Sequence, residues 1–435
     1  MTFPSPLADH VIAERLTRYG RFGVHLGLER IRILLQALGN PQERVPIIHV
    51  GGTNGKGSVC AYLSAVLAQA GYRVGRYTSP HLVSWCERIC LNNQPISPTE
   101  LEAILVQVES AIDPHTDSPT QFEVITAAAW LYFAQAQVDI AVIEVGLGGR
   151  LDATNVCDRP LVSIITSLSR EHWQRLGPTL ADIAREKAGI LKAHCPAVIG
   201  PLPPEAQSVV EQRIQTLGCP ATYPKAALAI SPGLAQYDTL NLTLPLQGQY
   251  QYINVALAIA ALRILTRQNW VISDQDMTQG IAAARWPGRL QWLTWRPPGQ
   301  NGQTLLIDGA HNPAAAQALR QYLDSLSSTP QTCSWVMGML TTKDHKDVFE
   351  ALLRPGDLLH LVPVPDHQSE PPKALAAIAR QVCPQLAQVQ CYETLETALG
   401  EALRERQTTR VLCGSLYLIG SFFRAYAGQL HPLAR

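Results

Sequence analysis

The sequence predicts an α/β protein of two domains, each built around a parallel β-sheet. Apolar runs without alternation, of which residues 139–146 are the clearest, are typical of strands buried on both faces. Helical patterns separate these runs, and the strand–helix alternation restarts after a stretch rich in proline and glycine at residues 285–303. We therefore expect an N-terminal parallel-sheet domain over residues 1–295 and a smaller, Rossmann-like α/β domain over residues 303–435.

Composition excludes several classes of function. The 435 residues exceed one ordinary domain, and 46% hydrophobic residues supply large cores. Because 35 basic residues balance 35 acidic ones, we expect no nucleic-acid or membrane partner. No apolar run approaches the roughly 20 residues of a membrane span, and the N-terminus lacks a signal-peptide pattern. The ten cysteines are scattered without zinc-site spacing, which favours reduced thiols and a cytoplasmic location.

A glycine-rich turn between a strand and a helix predicts a nucleotide-phosphate site. An apolar run enters the turn at residues 45–50, and a helical pattern leaves it after Ser58. Glycines let backbone N–H groups converge on phosphate oxygens, and the helix N-terminus adds partial positive charge. Lys56 supplies a full charge, and the Ser58 hydroxyl suits magnesium. Gly57 separates them, unlike the common P-loop. A turn without function is the alternative, but strand, turn, lysine, hydroxyl and helix all fall in order.

Polar residues follow three further predicted strands of this domain. Ligands gather at the carboxyl ends of parallel strands, so Ser79 and His81, after the second strand, are predicted to face the phosphate loop. An ordinary loop serine beside a proline is the alternative. Glu144 ends the clearest strand, where a carboxylate commonly ligates nucleotide-bound magnesium, and a salt bridge to an arginine is the alternative. His172 follows the next strand. A lone histidine is more often packed or on the surface, but this position makes it a candidate metal ligand.

Two helices of the N-terminal domain carry candidates with open alternatives. Lys187 lies in a mostly apolar helix at residues 179–190, where a solvated lysine is the default interpretation, although small neighbours would allow another group to approach. Asn254 lies near the start of a long helix at residues 251–265, and it either caps that helix or reaches a ligand. Residues 201–245 give no clear pattern.

The C-terminal domain repeats the strand–helix alternation without a phosphate loop of its own. A strand at residues 304–307 ends in Asp308 and His311, and a helical pattern follows. Further strands are predicted at residues 335–340, 358–364 and 410–413. The last of these strands leads to Ser415. Since Asp308 and His311 come just after the linker, we expect them to complete an active site in a cleft between the domains.

The motifs together resemble the Mur ligase superfamily and, within it, the folylpolyglutamate synthase and dihydrofolate synthase family. The matching stretches span nearly the whole sequence and are Leu26–Arg30, Gly52–Ser58, Thr78–Leu82, Glu144–Asn155, Arg185–Ile190, Pro287–Arg289, Asp308–Pro313 and Gly414–Tyr417. The inserted Gly57 fits the phosphate loop of this superfamily. The resemblance implies that ATP phosphorylates a substrate carboxylate and that L-glutamate attacks the acyl phosphate to form an amide. The acceptor would be dihydropteroate, a reduced folate, or both.

The resemblance also implies roles for individual residues, with Lys56, His172, Lys187 and His311 as the catalytic set. The resemblance implies that the triphosphate is held by Asn54, Gly55, Lys56, Gly57 and Ser58, and that magnesium is held by Ser79, Glu144 and His172. The nucleotide would also be contacted by Asn254, Arg289 and Asp308. The glutamate would be placed by His311 and Ser415, and the pterin side would be contacted by Thr120, Phe122, Leu151 and Asp152. Lys187 matches a position where the family carries a carbamylated lysine, an anionic ligand suited to a site with magnesium. The family often has Asp-His where this sequence has Glu171 and His172, which preserves the charge.

Two rival functions predict different properties. A sister ligase that extends a cell-wall nucleotide precursor would share both domains but usually carries an additional N-terminal domain, for which the fifty or so residues before the loop leave no room. A nucleotide-binding switch without catalysis would bind ATP tightly and have no use for Lys187 or His311. We expect the glutamate ligase, acting as a monomer on small molecules.

Overall fold

The computed structural model describes residues 6–20, 27–296, 302–326, 332–405 and 408–432. These residues form two compact units. The first contains the chain up to Pro245 together with Tyr250–Arg285, and the second contains Leu246–Gln249 and the chain from Trp286 onward. Leu26 of the motif at residues 26–30, and residues 297–301 of the predicted linker, lie outside the described residues.

Helices and strands alternate along the described chain. The helices are α1 (Pro6–Thr17), α2 (Glu29–Ala37), α3 (Lys56–Gln69), α4 (Pro98–Ser110), α5 (Gln121–Gln135), α6 (Trp173–Leu176), α7 (Leu180–Lys187), α8 (Pro204–Leu217), α9 (Tyr250–Arg267), α10 (Asp274–Ala283), α11 (Pro313–Asp324), α12 (His345–Leu352), α13 (Pro372–Val382), α14 (Leu395–Ala402) and α15 (Leu416–Tyr426). The strands are β1 (Ile47–Gly51), β2 (Val74–Tyr77), β3 (Ile89–Leu91), β4 (Gln94–Pro95), β5 (Ile140–Glu144), β6 (Val162–Ile165), β7 (Ala197–Ile199), β8 (Ala221–Thr222), β9 (Leu228–Ser231), β10 (Leu234–Tyr237), β11 (Leu240–Thr243), β12 (Gln291–Trp295), β13 (Gln303–Ile307), β14 (Cys333–Met337), β15 (Leu358–Leu361), β16 (Gln388–Cys391), β17 (Thr409–Cys413) and β18 (Leu430–Pro432).

The sheet of the first unit has the strand order β4-β3-β2-β5-β1-β6-β7-β8. Strands β2, β5, β1, β6, β7 and β8 are parallel, and β3 and β4 are antiparallel at one edge. Strand β1 lies centrally, with Val50 opposite Glu144 of β5 and Gly51 opposite Ile165 of β6. The loops that follow these three strands therefore meet at one edge of the sheet, where open α/β sheets bind ligands.

Burial explains why these strands were predictable. Strands β1 and β5 are buried along their whole length, which confirms the prediction of a sheet covered on both faces. Helix α5 is buried nearly all round, as its apolar pattern indicates. Helix α3 packs against α9 and α10, and a Cβ built on Gly280 of α10 would lie 2.5 Å from the Cα atom of Val66. Two neighbouring helices thus hold the helix that leaves the glycine-rich turn.

The sheet of the second unit has the strand order β16-β15-β14-β17-β13-β12-β18. Strands β13 to β17 are parallel, and β12 pairs antiparallel with both β13 and β18. The strands predicted within residues 304–413 are confirmed. Strand β12 lies inside the stretch interpreted as a linker and pairs with β13, so the second unit begins at Trp286, earlier than the predicted start at residue 303.

Residues 201–245, which give no clear sequence pattern, form helix α8, strand β8 and a three-stranded antiparallel sheet of β9, β10 and β11. Helix α8 begins at Pro204 and has Pro203 at its N-cap, so two of the prolines that suggest a loop lie at a helix start, where proline is favoured. Strand β9 is exposed along its length, so it lacks the alternation of a half-buried strand. No helix among the described residues is long and apolar enough to cross a membrane.

Candidate active site

The glycine-rich turn of residues 52–55 joins β1 to α3, and the residues after β6 hold it from one side. The Thr53 N–H donates to the Ser167 carbonyl oxygen (2.7 Å), and the Asn54 N–H donates to Ser167 Oγ (3.1 Å). The Thr166 hydroxyl donates to the Asn54 carbonyl oxygen (2.7 Å). The following N–H groups open α3, where a helix offers them no intrahelical acceptor, so they are suited to phosphate oxygens.

Helix α9 contacts the other side of the turn. Gly55 is left-handed (φ 88°), and a Cβ there would lie 2.5 Å from Asn254 Oδ1, so only glycine fits. Gly57 and Ser58 are buried in the first turn of α3, and Ser58 Oγ accepts a hydrogen bond from Gln251 Nε2 (3.2 Å). Asn254 is the fifth residue of α9 and therefore does not cap that helix. Contact with a ligand, the other alternative, stays a prediction.

Two lysines bond to carbonyl oxygens of the turn. Lys56 Nζ donates to the Thr53 carbonyl oxygen (3.0 Å), and Lys187 Nζ donates to the Gly52 carbonyl oxygen (2.7 Å). Lys187 ends α7 and is buried (3% exposed), so the default interpretation of a solvated lysine is wrong. The structure brings both predicted lysines to one turn.

Burial lowers the pKa of Lys187 to about 7, and the positive charge of Lys56 adds to this effect. The carboxylates of Glu171 and Asp152 act in the opposite direction, because they favour the ammonium form. Burial therefore favours the uncharged, nucleophilic amine form of Lys187.

The structure brings Ser79 and Glu144 together. Glu144 is buried at the end of β5, and its Oε2 accepts a hydrogen bond from the Ser79 N–H (3.2 Å). His81, predicted beside Ser79, accepts through Nδ1 from Arg88 Nε (2.9 Å). Glu144 lies opposite Val50, shortly before the glycine-rich turn on the neighbouring strand. A single buried carboxylate at this position is suited to bind a magnesium ion whose other ligands include water and phosphate.

His172 follows β6 at the start of α6 in a left-handed conformation (φ 53°). Its Nε2 lies 3.8 Å from Glu171 Oε1, and its side chain is 41% exposed. The described ranges contain no group of three or more His, Cys, Asp or Glu side chains arranged to hold a metal. The predicted magnesium ligands Ser79, Glu144 and His172 would not form such a group, because only two of them are His, Cys, Asp or Glu and Ser79 contributes a hydroxyl.

The loop after β5 is organised by Asp152. The carboxylate accepts hydrogen bonds from the Leu147 N–H (2.7 Å), the Thr154 N–H (3.0 Å) and the Thr154 hydroxyl (2.5 Å). Burial raises the pKa of Asp152, and these hydrogen bonds oppose that effect. Thr154 Oγ1 also lies 2.9 Å from Nε2 of His49 on β1. Since the threonine proton goes to the carboxylate, His49 donates through Nε2.

The same loop is fastened to the segment that carries Lys187. Asn155 Nδ2 donates to the carbonyl oxygens of Arg150 (3.0 Å) and Gly189 (3.1 Å). A Cβ on Gly149 would lie 2.9 Å from the Lys187 carbonyl oxygen, so glycine permits the close approach. The position of Lys187 therefore depends on the loop, which the sequence pattern did not indicate.

Thr120, Phe122 and Leu151, predicted for the pterin side, have different surroundings. Thr120 caps α5 through a capping box, which accounts for it structurally. The Phe122 ring packs on Gly146, where a Cβ would lie 2.4 Å from it, so the structure brings Phe122 to the loop after β5. Leu151 is half-buried in that loop.

In the second unit, Arg289 and Asp308 lie together. The buried Asp308 carboxylate accepts from the N–H groups of Leu290 (2.8 Å) and Ala310 (2.8 Å). Burial raises the pKa of Asp308, and the Arg289 guanidinium lowers it. Asp308 thus fixes the turn that carries Arg289, and a Cβ on Gly309 would clash with the arginine.

His311 and Ser415 follow the adjacent parallel strands β13 and β17. His311 Nδ1 lies 2.7 Å from the Gly309 carbonyl oxygen, so Nδ1 carries the proton and Nε2 is the acceptor of a neutral ring. Ser415 caps α15, with Oγ accepting from the Tyr417 N–H (3.2 Å). The two side chains lie at the carboxyl edge of one sheet, where ligands bind in α/β folds.

Comparison with known proteins identifies the class. Residues 50–262 match the Mur ligase middle domain, and residues 291–425 match the C-terminal domain of dihydrofolate synthetase. The first sheet and its glycine-rich turn therefore lie in a Mur ligase middle domain.

Individual relatives narrow the class to a family. The folylpolyglutamate synthase of Lacticaseibacillus casei is 36% identical and aligns over 94% of this chain and 96% of its own. The dihydrofolate synthetase of Saccharomyces cerevisiae is 35% identical and aligns over 94% of this chain and 99% of its own. A solved structure of Escherichia coli FolC in complex with DHPP and ADP is 30% identical in sequence, with a TM-score of 0.82. The match covers 98% of this chain and 99% of the FolC chain. The chain belongs to the folylpolyglutamate synthase and dihydrofolate synthase family, and it is an ATP-dependent ligase.

His49 predicts a pH dependence of stability. Burial lowers its pKa from 6.5 to about 3, so between these values the unfolded chain binds a proton that the folded chain does not. Stability contributed by neutral His49 is therefore present above pH 6.5 and lost as pH falls. Between pH 7 and pH 5 we expect this loss to be about 2 kcal/mol.

Urea unfolding of wild type and His49→Gln at both pH values measures that loss. The glutamine keeps an N–H donor but cannot titrate, so its stability should fall less on acidification. The exposed His115→Gln variant is the control and should behave as wild type. Equal pH dependence in all three proteins would contradict the assignment.

Proposed function

We propose that this chain joins L-glutamate to reduced folates and to dihydropteroate, by way of an acyl phosphate made from ATP. The observation that carries the proposal is the convergence of the glycine-rich turn, buried Glu144 and buried Lys187 at one edge of the first sheet. The relatives of this chain include proteins named folylpolyglutamate synthase and dihydrofolate synthetase, which supports reduced folates and dihydropteroate as the two acceptors.

Phosphoryl transfer to a carboxylate brings anions together, so cations and N–H groups must offset their repulsion. In our proposal Asn54, Gly55, Lys56, Gly57 and Ser58 hold the triphosphate. Lys56, bonded to the Thr53 carbonyl oxygen in the structure, turns its ammonium to the phosphates when ATP binds. Ser79, Glu144 and His172 would hold magnesium, which supplies positive charge to the transferring phosphoryl group when bound.

The remaining candidates bind the other parts of the substrates. Asn254 in the first unit, and Arg289 with Asp308 in the second, are proposed nucleotide contacts. His311 and Ser415 are proposed to orient the glutamate, whose amine must lose a proton before or during attack. Phe122, whose ring packs on the loop after β5, is the strongest candidate on the pterin side; Thr120, Leu151 and Asp152 complete that set. We assign the first unit to ATP binding and the second unit, which includes β12, to glutamate ligation.

We place the reaction in the cytoplasm, because all ten cysteines are free thiols. A sister ligase acting on a cell-wall precursor remains the alternative substrate class. The dihydrofolate synthetase match to the C-terminal domain favours the folate substrates.

Purified protein should add a glutamyl group to tetrahydrofolate and to dihydropteroate when each is supplied with ATP, magnesium and glutamate. Mass spectrometry of the products measures the addition. Lys56→Met should abolish both reactions, and Lys346→Met, an exposed lysine on α12, should abolish neither. Product from one acceptor alone would restrict the proposal to that activity, and product from neither would refute it.

We further propose that Lys187 reacts with CO2 and becomes a carbamate. Its neutral amine attacks the carbon of CO2, forms an N–C bond and releases one proton, which leaves an anionic group. A pKa near 7 supplies that amine at physiological pH. The carbamate oxygens could then ligate magnesium, whereas an ammonium would repel it.

NMR after incubation with 13C-bicarbonate should show a carbamate carbonyl signal in wild type and none in Lys187→Gln. The variant should lose at least about a hundredfold in kcat, because a magnesium ligand is missing. Lys192→Gln, which removes a half-buried lysine on the same segment, is the control and should keep both signal and activity. A signal that persists in Lys187→Gln would place the carbamate elsewhere.

A further inference from the structure

Gln251 is completely buried in the first turn of α9, and both ends of its side-chain amide bond to residues beside the glycine-rich turn. Nε2 donates to Ser58 Oγ (3.2 Å), and Oε1 accepts from Asn254 Nδ2 (3.0 Å). Burying an amide is unfavourable unless it is hydrogen-bonded, and an apolar side chain would fill the same space without that requirement. The hydrogen bonds to Ser58 and Asn254 therefore account for an amide, and not an apolar side chain, at position 251.

The bond to Gln251 fixes what the Ser58 hydroxyl can do. A hydroxyl has one proton and two lone pairs, and Gln251 occupies one lone pair. With Nε2 of Gln251 on one lone pair, the Ser58 proton points away from Gln251. The proton and the second lone pair therefore remain for other partners, such as a phosphate oxygen and a cation.

The second end of the amide holds Asn254 against the turn. Gln251 and Asn254 are three residues apart and share one face of α9. Because Gln251 binds the Asn254 Nδ2 atom, the Oδ1 atom faces Gly55, where it lies 2.5 Å from the position of a Cβ. One buried amide thus sets the orientation of two side chains on the same side of the turn.

We propose that Gln251 is a positioning residue for nucleoside triphosphate binding, acting through Ser58 and Asn254. It makes Ser58 a donor to a phosphate oxygen and holds Asn254 toward the turn. The inference rests on the proposed function, in which this turn binds the triphosphate. Gln251 does not touch the reacting atoms, so its removal changes the affinity for ATP more than the chemical step.

The test replaces Gln251 by methionine, which keeps the volume and removes both hydrogen bonds. We expect the KM for ATP to rise about tenfold, with the KM values for glutamate and folate unchanged and a smaller change in kcat. Gln268→Met makes the same substitution at an exposed residue directly after the same helix and should leave all constants unchanged. Gln251→Glu keeps the shape but cannot donate to Ser58 when ionised, and it should also raise the KM for ATP.

A double-mutant cycle with Ser58→Ala separates positioning from general destabilisation. If Gln251 acts through Ser58, Gln251→Met should raise the KM for ATP much less in the Ser58→Ala background than in wild type. Full additivity, or an unchanged KM for ATP in folded Gln251→Met and Gln251→Glu, would overturn the inference. If Ser58→Ala itself binds ATP normally, the proposed role of Ser58 fails as well. Thermal unfolding of each variant confirms that the compared proteins are folded.

Discussion

The first unit depends on one constraint: the backbone turn of residues 52–55 must stay in a fixed conformation at the end of a buried parallel strand. Hydrogen bonds from Thr166 and to Ser167 hold it on the side of β6, and the buried side chains Gln251 and Asn254 hold its surroundings on the side of α9. A turn fixed before its ligand arrives needs no reorganisation when charge develops, and such preorganisation is the main source of electrostatic catalysis. The glycines allow the path of the turn, and its neighbours select that path.

Burial around this turn governs the chemistry of its charged groups. Lys187 is held at the Gly52 carbonyl oxygen with its pKa lowered to about 7, and Glu144 is buried beside the start of the same turn. The loop after β5 fixes the segment of Lys187 through Asn155, and that loop is in turn anchored to β1 by Asp152, Thr154 and His49. A change in this loop is therefore transmitted to Lys187 through hydrogen bonds between buried groups, without direct contact with the nucleotide.

Local patterns account for what the sequence predicted. The buried run that ends at Glu144 and the strand–turn–helix order around Lys56 are properties of short segments, so periodicity and glycine positions were sufficient. Gln251 and His49 were missed because their partners lie far away in sequence, and a buried glutamine or histidine looks like an ordinary member of its helix or strand. The i, i+3 spacing of Gln251 and Asn254 was the available signal. The exposed β9 and the Pro204 start of α8 were missed because exposure and proline imitate a loop.

We propose that the phosphate site of the first unit activates a substrate carboxylate by phosphoryl transfer. To test this step, an acceptor whose carboxylate carries 18O is supplied, and the label is followed during turnover. An acyl phosphate loses a carboxylate oxygen with its phosphate when glutamate attacks, so we expect 18O in the inorganic phosphate, one atom for each amide formed. Amide formation with unlabelled phosphate would contradict it, because the carboxylate would then have been activated without phosphoryl transfer.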